Sequence, residues 1–259
     1  MHKKISNTCN IMTHIIAMAN QKGGVAKTSS VSALGALLAS MGKKVLLVDL
    51  DPQSNLTESL SQTDYERTVY EAMRERKGLP VYPLRDNLYL SPANIDLAAA
   101  EMELAGVIER ETILTDLLED VSKDYDYIFL DCSPSLSLLT LNALTVATDL
   151  FIPLTCEALP SRGLRKLLDI VKLVNKRLNK RLKLSGIIIT LWNGTNLNRQ
   201  VEEKLRESFG DIVFKTRIRK NVAIAEAPFS FLPISEYAPR SNGSQDYKSL
   251  TNEVIGRMG

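Results

Sequence analysis

Short apolar runs alternate with longer amphipathic stretches along almost the whole chain. Most of the runs are near-continuous rather than alternating apolar with polar residues, which is typical of strands buried on both faces of a parallel sheet. The pattern predicts seven strands: His14–Ala19, Lys44–Leu50, Leu88–Ser91, Tyr127–Asp131, Leu150–Thr155, Leu184–Trp192 and Ile212–Phe214.

The stretches between these runs predict six helices: Thr28–Met41, Glu109–Lys123, Leu136–Ala147, Ser161–Asn179, Leu197–Phe209 and Ser244–Met258. This alternation favours an α/β fold, a doubly wound and mostly parallel sheet with helices on both faces. The chain has no repeat, no low-complexity tract and no linker rich in Pro, Gly or Ser, so we expect residues 12–259 to form a single domain. Residues 1–11 are polar and patternless, and we expect a disordered extension there unless translation begins at Met12.

The composition excludes several classes of protein. With 259 residues, 44% of them apolar and 24% charged, the chain can bury a core and does not have the composition of a disordered protein. A net charge of +2 argues against a uniformly basic nucleic-acid coat, and 6% aromatic residues argue against a base-stacking platform. Three cysteines without CxxC spacing and two histidines argue against a disulfide framework or a zinc site and fit a reducing cytosol. No apolar run approaches the roughly 18 residues of a membrane-spanning helix.

Charge is unevenly distributed along the chain. Residues 96–126 carry ten acids and two bases, whereas residues 165–183 carry eight bases and one acid. Each run alone is typical of a solvated helix face, but together they predict two electrically distinct faces.

The strongest chemical signal is the segment 20–29, Asn-Gln-Lys-Gly-Gly-Val-Ala-Lys-Thr-Ser, which follows an apolar strand and opens a helix. Glycines let backbone N–H groups close around phosphate oxygens, and the helix N-terminus adds its positive dipole. In such a loop Lys27 neutralises the β- and γ-phosphates and the Thr28 hydroxyl binds Mg²⁺. The sequence therefore predicts a nucleoside triphosphate site.

The ordinary pattern G-x-x-x-x-G-K-[ST] fails here, because its two glycine positions fall on Gln21 and Ala26. What remains is Lys-Gly-Gly-x-x-Lys-Thr with an additional lysine, Lys22. This resembles the deviant Walker A motif of the ParA/MinD group of P-loop ATPases, in which glycine is common at position 26. Alanine adds only a methyl group, and we expect the loop to keep its shape with a negative φ at Ala26.

Three later segments resemble the same family in the same order. Asp49-Leu50-Asp51-Pro52-Gln53 resembles its switch I, with Asp51 near the attacking water and Asp49 structural. Residues 127–131 form a Walker B pattern that ends in Asp131, and residues 131–135 resemble switch II. These carboxylates follow predicted parallel strands, whose carboxyl ends are where ligands bind.

Near the C-terminus, Asn193 and the loop 218–221 resemble the segments that flank adenine in this family, although Arg219 stands where proline is frequent. The resemblance runs from Met12 to Met258 and is closest to the ParA/Soj partition branch. It implies an ATPase that uses ATP and Mg²⁺, with Lys22 and Asp51 as catalytic residues and Thr28, Asp51 and Asp131 at the metal. The implied ATP-binding residues are Lys22, Gly23, Gly24, Val25, Ala26, Lys27, Thr28, Ser29, Asn193, Arg219 and Asn221.

In this family the signature lysine, here Lys22, reaches the partner subunit's site, so the resemblance implies a homodimer with two sandwiched ATP molecules. Lys215, Arg217 and Lys220 form a basic cluster that such a dimer would double, which favours non-specific binding to double-stranded DNA. A basic helix over residues 172–181 could extend that surface. The implied partner is a ParB-like DNA-site-binding protein that stimulates hydrolysis during plasmid or chromosome segregation in a bacterial, nucleoid-associated cytoplasmic setting.

Other functions run on the same fold, so alternatives remain. One is a ParA-like ATPase that positions another cargo, and another is a MinD-like membrane-cycling division regulator. The C-terminal segment has few basic residues, which argues against membrane binding. An iron–sulfur site would need a second cysteine to act with Cys132, and residues 94–126 contain none. A metabolic ligase of the amidase-linked type would usually carry a second catalytic domain, for which we expect no room in this chain.

Overall fold

The computed structural model describes residues 13–157 and 162–258, so the expectation of disorder over residues 1–11 lies outside the described residues. Eight strands form one sheet: β1 His14–Met18, β2 Val45–Leu50, β3 Tyr82–Arg85, β4 Leu88–Ser91, β5 Tyr127–Cys132, β6 Asp149–Thr155, β7 Lys183–Trp192 and β8 Val213–Arg219. Their order is β3-β4-β2-β5-β1-β6-β7-β8. All neighbours are parallel except β3, which runs antiparallel to β4 at one edge.

Eleven α-helices connect or flank these strands within the described residues: α1 Lys27–Ser40, α2 Asn55–Leu60, α3 Val69–Glu75, α4 Leu97–Glu103, α5 Ile113–Glu119, α6 Leu138–Val146, α7 Arg162–Arg177, α8 Asn196–Phe209, α9 Val222–Glu226, α10 Ile234–Tyr237 and α11 Asn242–Met258. Short 3₁₀ turns lie at Ser122–Asp124, Gly210–Ile212 and Ala227–Ser230. No described helix is long and apolar enough to cross a membrane.

The central strands are buried on both faces, because successive side chains along them enter two different cores. In β1, Ile15 and Ala17 join one apolar cluster, whereas Ile16 and Met18 join the other. Helices α3 to α8 cover the first face, and α1, α2, α10 and α11 cover the second. The predicted doubly wound α/β fold with helices on both faces is confirmed.

The structure differs from the sequence prediction mainly at short elements. The edge strand β3 was not predicted, because it contains Pro83 and is only half-buried. The helix predicted over 109–123 is shorter, since α5 begins at Ile113 and ends at Glu119. Strand β8 continues to Arg219, so the first two residues of the predicted loop 218–221 lie in the strand.

Candidate nucleotide-binding site

The loop between β1 and α1 lies at the carboxyl ends of the central strands. Asn20 anchors it, because its Nδ2 donates to the Pro153 carbonyl at 2.7 Å and its Oδ1 accepts from the Lys22 amide at 3.0 Å. The Thr190 hydroxyl of β7 donates to the Val25 carbonyl at 3.1 Å, so Val25 joins the loop to the sheet. These contacts hold the glycine-rich segment above β1 and the first turn of α1.

Ala26 corrects an expectation from the sequence. Its φ is 60° and its ψ is 36°, which is the left-handed region and not the negative φ that alanine prefers. The Ala26 carbonyl accepts from the Ser30 amide at 3.0 Å and the Ser30 hydroxyl at 2.7 Å, and these bonds maintain the first turn of α1. The methyl group therefore occupies a position that costs an L-residue about 1–2 kcal/mol.

A cleft of about 760 Å³ opens above this loop, large enough for a nucleotide. Six residues of the predicted phosphate loop line it: Gly23, Gly24, Ala26, Lys27, Thr28 and Ser29. Asp51 and Pro134 line it as well, from the segments that resemble the two switches. The sequence prediction and the cleft thus coincide along its polar wall.

Asp49, Asp51 and Asp131 lie at the carboxyl ends of β2 and β5. Asp49 and Asp131 are directly opposite each other on these two neighbouring strands. Asp49 is fully buried and accepts hydrogen bonds from the Asp51 amide and from both the amide and the hydroxyl of Thr57. Burial, and after it the charge of Asp51, raise the pKa of Asp49 to about 6 despite these hydrogen bonds. The structural position expected for Asp49 agrees with these contacts.

Asp131 is the exceptional carboxylate, since both of its oxygens are buried and have no hydrogen-bond partner among the described residues. Burial, and then the neighbouring Asp49, raise its pKa to about 8, although Thr28 and Lys27 oppose the shift. An ionised carboxylate in such a place is costly unless a cation compensates it. Asp131 therefore fits Mg²⁺ together with the Thr28 hydroxyl.

The donor set also fits the way Mg²⁺ binds nucleotides. No group of three or more His, Cys, Asp or Glu side chains within residues 13–157 and 162–258 forms a metal cage. Mg²⁺ usually takes one or two protein oxygens and fills its other positions with water and phosphate. Thr28 and Asp131, with Asp51 nearby, supply such a partial set of oxygen ligands.

Lys22 does not line the cleft of its own subunit. Its Nζ donates to the Thr155 hydroxyl at 3.2 Å and lies 3.0 Å from Glu157 Oε2. Both charged side chains are more than half exposed, so solvent screens this ion pair and it is easily broken. In its own subunit this lysine therefore contacts the end of β6 and the residue two positions beyond it, whereas Lys27 lines the cleft.

Of the three predicted base contacts, the structure places only Asn221 at the cleft. Arg219 is bound to Asp246 of α11 through Nη2 at 2.6 Å and Nε at 2.9 Å. The Asn193 side chain accepts from the Thr195 amide at 3.2 Å and so shapes the turn before α8. Neither Arg219 nor Asn193 lines the cleft in this structure, and a contact of either residue with adenine stays a prediction.

Most of the rest of the cleft lining was not predicted from the sequence. This part of the lining comprises Ser32, Asn55, Glu58, Ser59, Leu191, Ile224, Ala225, Ala227, Pro228, Phe229, Phe231, Leu232 and Ile234. These residues come from α1, α2, β7, α9, the turn after α9 and α10, and no contiguous motif joins them. Only the folded chain brings α2, α9 and the turn after α9 around one cavity.

The three predicted DNA-binding residues lie on or beside β8 and differ in their surroundings. Lys215 and Lys220 are exposed, and neither has an acidic partner among the described residues. Arg217 is different, because its Nε lies 2.7 Å from Glu202 Oε2 and its guanidinium stacks 5.2 Å from the Trp192 ring. Glu202 therefore neutralises one member of the basic cluster predicted from the sequence.

Comparisons with known proteins agree with the fold and the loop. The AAA_31 family, described as an AAA domain, matches residues 13–184. The sporulation initiation inhibitor protein Soj of Bacillus subtilis (strain 168) is 46% identical over 253 residues, covering 94% of this chain and 98% of that protein. The chromosome-partitioning ATPase Soj of Thermus thermophilus is 45% identical, with 94% and 96% of the two chains covered.

The fold is also similar to a solved structure of cobyrinic acid a,c-diamide synthase from Mycobacterium smegmatis, which contains a bound ATP analog and magnesium. Its TM-score is 0.82 at 35% identity, and 94% of each chain is covered. Because 94% of that chain is covered, chain length alone does not separate this protein from a synthase of that name. The ligands in that structure support ATP and Mg²⁺ as cofactors.

The two Soj proteins share more than two fifths of their residues with this chain over almost its full length. Identity at this level, together with the matching family and the loop geometry, decides the classification. The chain belongs to the ParA/Soj-type family of P-loop ATPases.

Proposed function

We propose that this protein is a partition ATPase whose ATP-bound form is a DNA-binding dimer and whose ATP hydrolysis separates the subunits. The observation that carries the proposal is the convergence of the phosphate loop, Asp51 and the unpartnered Asp131 at adjacent strand ends, while Lys22 does not line the cleft of its own subunit. The high identity to chromosome-partitioning ATPases supports this function over others that use the same fold.

The side chains divide the work of converting ATP and water to ADP and phosphate. Lys27 and the loop amides hold the β- and γ-phosphates, while Thr28 and Asp131 hold Mg²⁺. When bound, Mg²⁺ neutralises charge on the phosphate oxygens. Asp51 lies at the cleft wall, with its Oδ1 fixed by the Gln53 amide at 3.0 Å, and orients the attacking water.

Lys22 supplies the remaining positive charge from across a two-fold dimer. In its own subunit it contacts Thr155 and Glu157 and not the cleft, which is the position of a side chain available to a second copy. Two subunits that face each other through this loop enclose two ATP molecules. ATP therefore joins the subunits, and hydrolysis removes the γ-phosphate that holds them together.

DNA binding by the dimer rests on the exposed cations of the β8 edge. Lys215 and Lys220 carry it, and Arg217 contributes less because Glu202 neutralises it. Phosphate contacts of this kind are independent of sequence. A ParB-like protein bound at its own DNA site then stimulates hydrolysis on the nucleoid, and repeated cycles move a chromosome or plasmid.

Sedimentation of the Asp51→Ala protein tests the switch. We expect this variant to bind ATP, to hydrolyse it about 10²–10⁴-fold more slowly and to accumulate as a dimer. Adding Lys22→Ala should weaken that dimer, and Lys27→Ala should abolish ATP binding. A monomer in every nucleotide state at tens of micromolar, a rough working concentration, would rule out the sandwich dimer.

A membrane-cycling function is the alternative that the structure favours less. Tyr247, Leu250 and Val254 of α11 are buried against the second core, so the apolar face of the last helix is already occupied. Pelleting with anionic lipid vesicles and ATP separates the two functions. Co-sedimentation with vesicles and no binding to DNA would favour the membrane alternative.

A further inference from the structure

A second cavity, of about 330 Å³, lies on the sheet face opposite α1 and is separate from the nucleotide cleft. Its lining is mainly apolar and comes from the α4–α5 segment, the start of α6 and the middle of α7: Glu101, Ala105, Arg110, Glu111, Leu136, Ser137, Leu138, Thr140, Leu141, Ile170 and Leu173. We call it the α6–α7 groove. Its volume is at the small end of the range for ligand sites.

Exposed apolar side chains extend beyond the groove itself. Leu173 of α7 is 59% exposed at its edge. Met102 and Ile108, in the segment that forms the opposite wall, are 78% and 83% exposed. Exposed apolar side chains around an apolar groove favour an interaction with another chain over a small-molecule site.

The walls of the groove are held in place before anything binds. The buried Asn142 side chain of α6 donates to the Arg110 carbonyl at 2.8 Å and accepts from the Leu114 amide at 3.0 Å. Arg76 donates to the Ile108 carbonyl at 2.6 Å and fixes the same wall from α3. A preformed groove reduces the ordering cost that an incoming chain must overcome.

One short segment separates this groove from the nucleotide cleft. Pro134 lines the cleft, while Leu136 and Ser137 line the groove. Thr140 also lines the groove, and its hydroxyl donates to the Ser135 carbonyl at 2.7 Å. The segment 133–137 is separated from Asp131 by one residue, so a displacement of α6 reaches the residue that holds Mg²⁺.

The two rims of the groove carry opposite charge. On the α4–α5 side lie Glu101 and Glu111, with Arg110 Nε 3.3 Å from Glu111 Oε1. On the α7 side, four charged residues stand three or four residues from the lining residues Ile170 or Leu173 and so share their face of the helix: Lys166, Asp169, Lys176 and Arg177, with a net charge of +2. A complementary occupant has an apolar stripe with basic residues along one edge and acidic residues along the other.

We propose that the α6–α7 groove docks an amphipathic helix of the partner protein and that this helix controls hydrolysis through Thr140 and the segment 133–137. The inference rests on the proposed function, since it assigns a place to the stimulating partner. The helix lies in the groove with leucine-like residues at i, i+3 or i+4 and i+7. The two charged rims admit it in one direction only.

A synthetic peptide tests the docking site. The probe is a fluorescent 15-residue helix with leucines at that spacing, lysines on one edge and glutamates on the other, and its control has serines in place of the leucines. Fluorescence anisotropy should show saturable binding of the probe alone. Leu173→Ser should weaken binding about tenfold, because the probe would bury the exposed part of this leucine and serine removes that apolar contact. Leu197→Ser, at a leucine that is 50% exposed on α8 outside the groove, should leave binding unchanged.

Charge reversal tests the recognition of the rim. Glu101→Lys combined with Glu111→Lys should weaken binding of the probe and favour a peptide with glutamates on both edges. Thr140→Val tests the coupling, because it removes the hydrogen bond to Ser135 but leaves the groove nearly unchanged in shape. The probe should change the ATPase rate of the wild-type protein and not that of Thr140→Val, while binding both.

Three results would overturn the inference. The first is equal affinity of the probe for Leu173→Ser and the wild type. The second is binding of the probe without any effect on ATP hydrolysis. The third is loss of the ATP-dependent Asp51→Ala dimer when Leu173→Ser is added. The last result would assign the groove to a second copy of this chain. Basal hydrolysis and DNA binding of the same variants are measured in parallel, so failure of the proposed function appears in the wild type and is distinguishable.

Discussion

Replacing Asp131 by asparagine should stabilise the nucleotide-free protein while it destroys the metal site. The pKa of this carboxyl rises from 3.8 to about 8 on folding, mainly through burial and then through Asp49. The folded state therefore binds more protons than the unfolded state between these values, and its stability falls as the pH rises through that window. One pKa unit corresponds to about 1.4 kcal/mol, so the penalty is at most about 6 kcal/mol above pH 8. The attraction to Lys27 is lost in the variant too, so we expect a gain of roughly half that limit, about 3 kcal/mol.

Urea unfolding of wild-type and Asp131→Asn protein without nucleotide, from about pH 5 to about pH 9, measures this difference. The gap should widen with rising pH and level off above about pH 8, and ATP hydrolysis by the variant should be lost. Asp149→Asn is the matched control. Burial raises the pKa of Asp149, but hydrogen bonds from His14, Ser185 and Thr148 outweigh it and lower the pKa overall, so this variant should lose stability at neutral pH. An Asp131→Asn protein that is no more stable than the wild type at pH 8 would refute the reasoning.

Three further variants test the local structure. Ala26→Gly should raise the free energy of unfolding by about 0.5–1 kcal/mol, because glycine tolerates the left-handed conformation, whereas Ala98→Gly in α4 should lower it by a similar amount in the same urea titration. The hydrogen bond to Asp149 raises the pKa of His14 above 6.5, although burial acts in the opposite direction. The stability that His14 contributes is therefore present below pH 6.5 and is lost as the pH rises through the raised pKa. The difference in unfolding midpoint between the wild type and His14→Gln should therefore shrink from about pH 6 to about pH 9. Gly186→Ala should lower the melting temperature at a cost of about 1–3 kcal/mol, because the added Cβ meets the Phe214 ring.

The sequence predicted the parallel part of the sheet because its seven strands are continuous apolar runs between turn residues. It missed α2, α3, α4, α9 and α10, which have four to seven residues each and are too short to display a helical period. Their positions depend on tertiary packing, such as α2 against the turn over Ala227–Ser230. Short elements of this kind line the nucleotide cleft, which is why its apolar wall was not predicted.

The phosphate loop was predictable because one contiguous segment carries both its conformation and its chemistry. The charge partners of Arg217 and Arg219 were not, since Glu202 lies 15 residues and Asp246 27 residues away along the chain. Local charge counts cannot include acids that a neighbouring helix brings into contact. The conformation of Ala26 likewise depends on the start of α1 rather than on alanine's own preference.

DNA binding by the ATP-bound Asp51→Ala protein, titrated over a salt series, tests the central claim most directly. Lys215 and Lys220 of two subunits offer four phosphate contacts, so the slope of log K against log[salt] should be about −3.6 with ATP, and binding with ADP should be much weaker. Lys215→Ala with Lys220→Ala should abolish binding and leave the dimer intact, whereas Lys172→Ala with Lys176→Ala on α7 should leave the slope unchanged. Absence of DNA binding by the ATP dimer at low salt would contradict the account and favour a protein or membrane cargo.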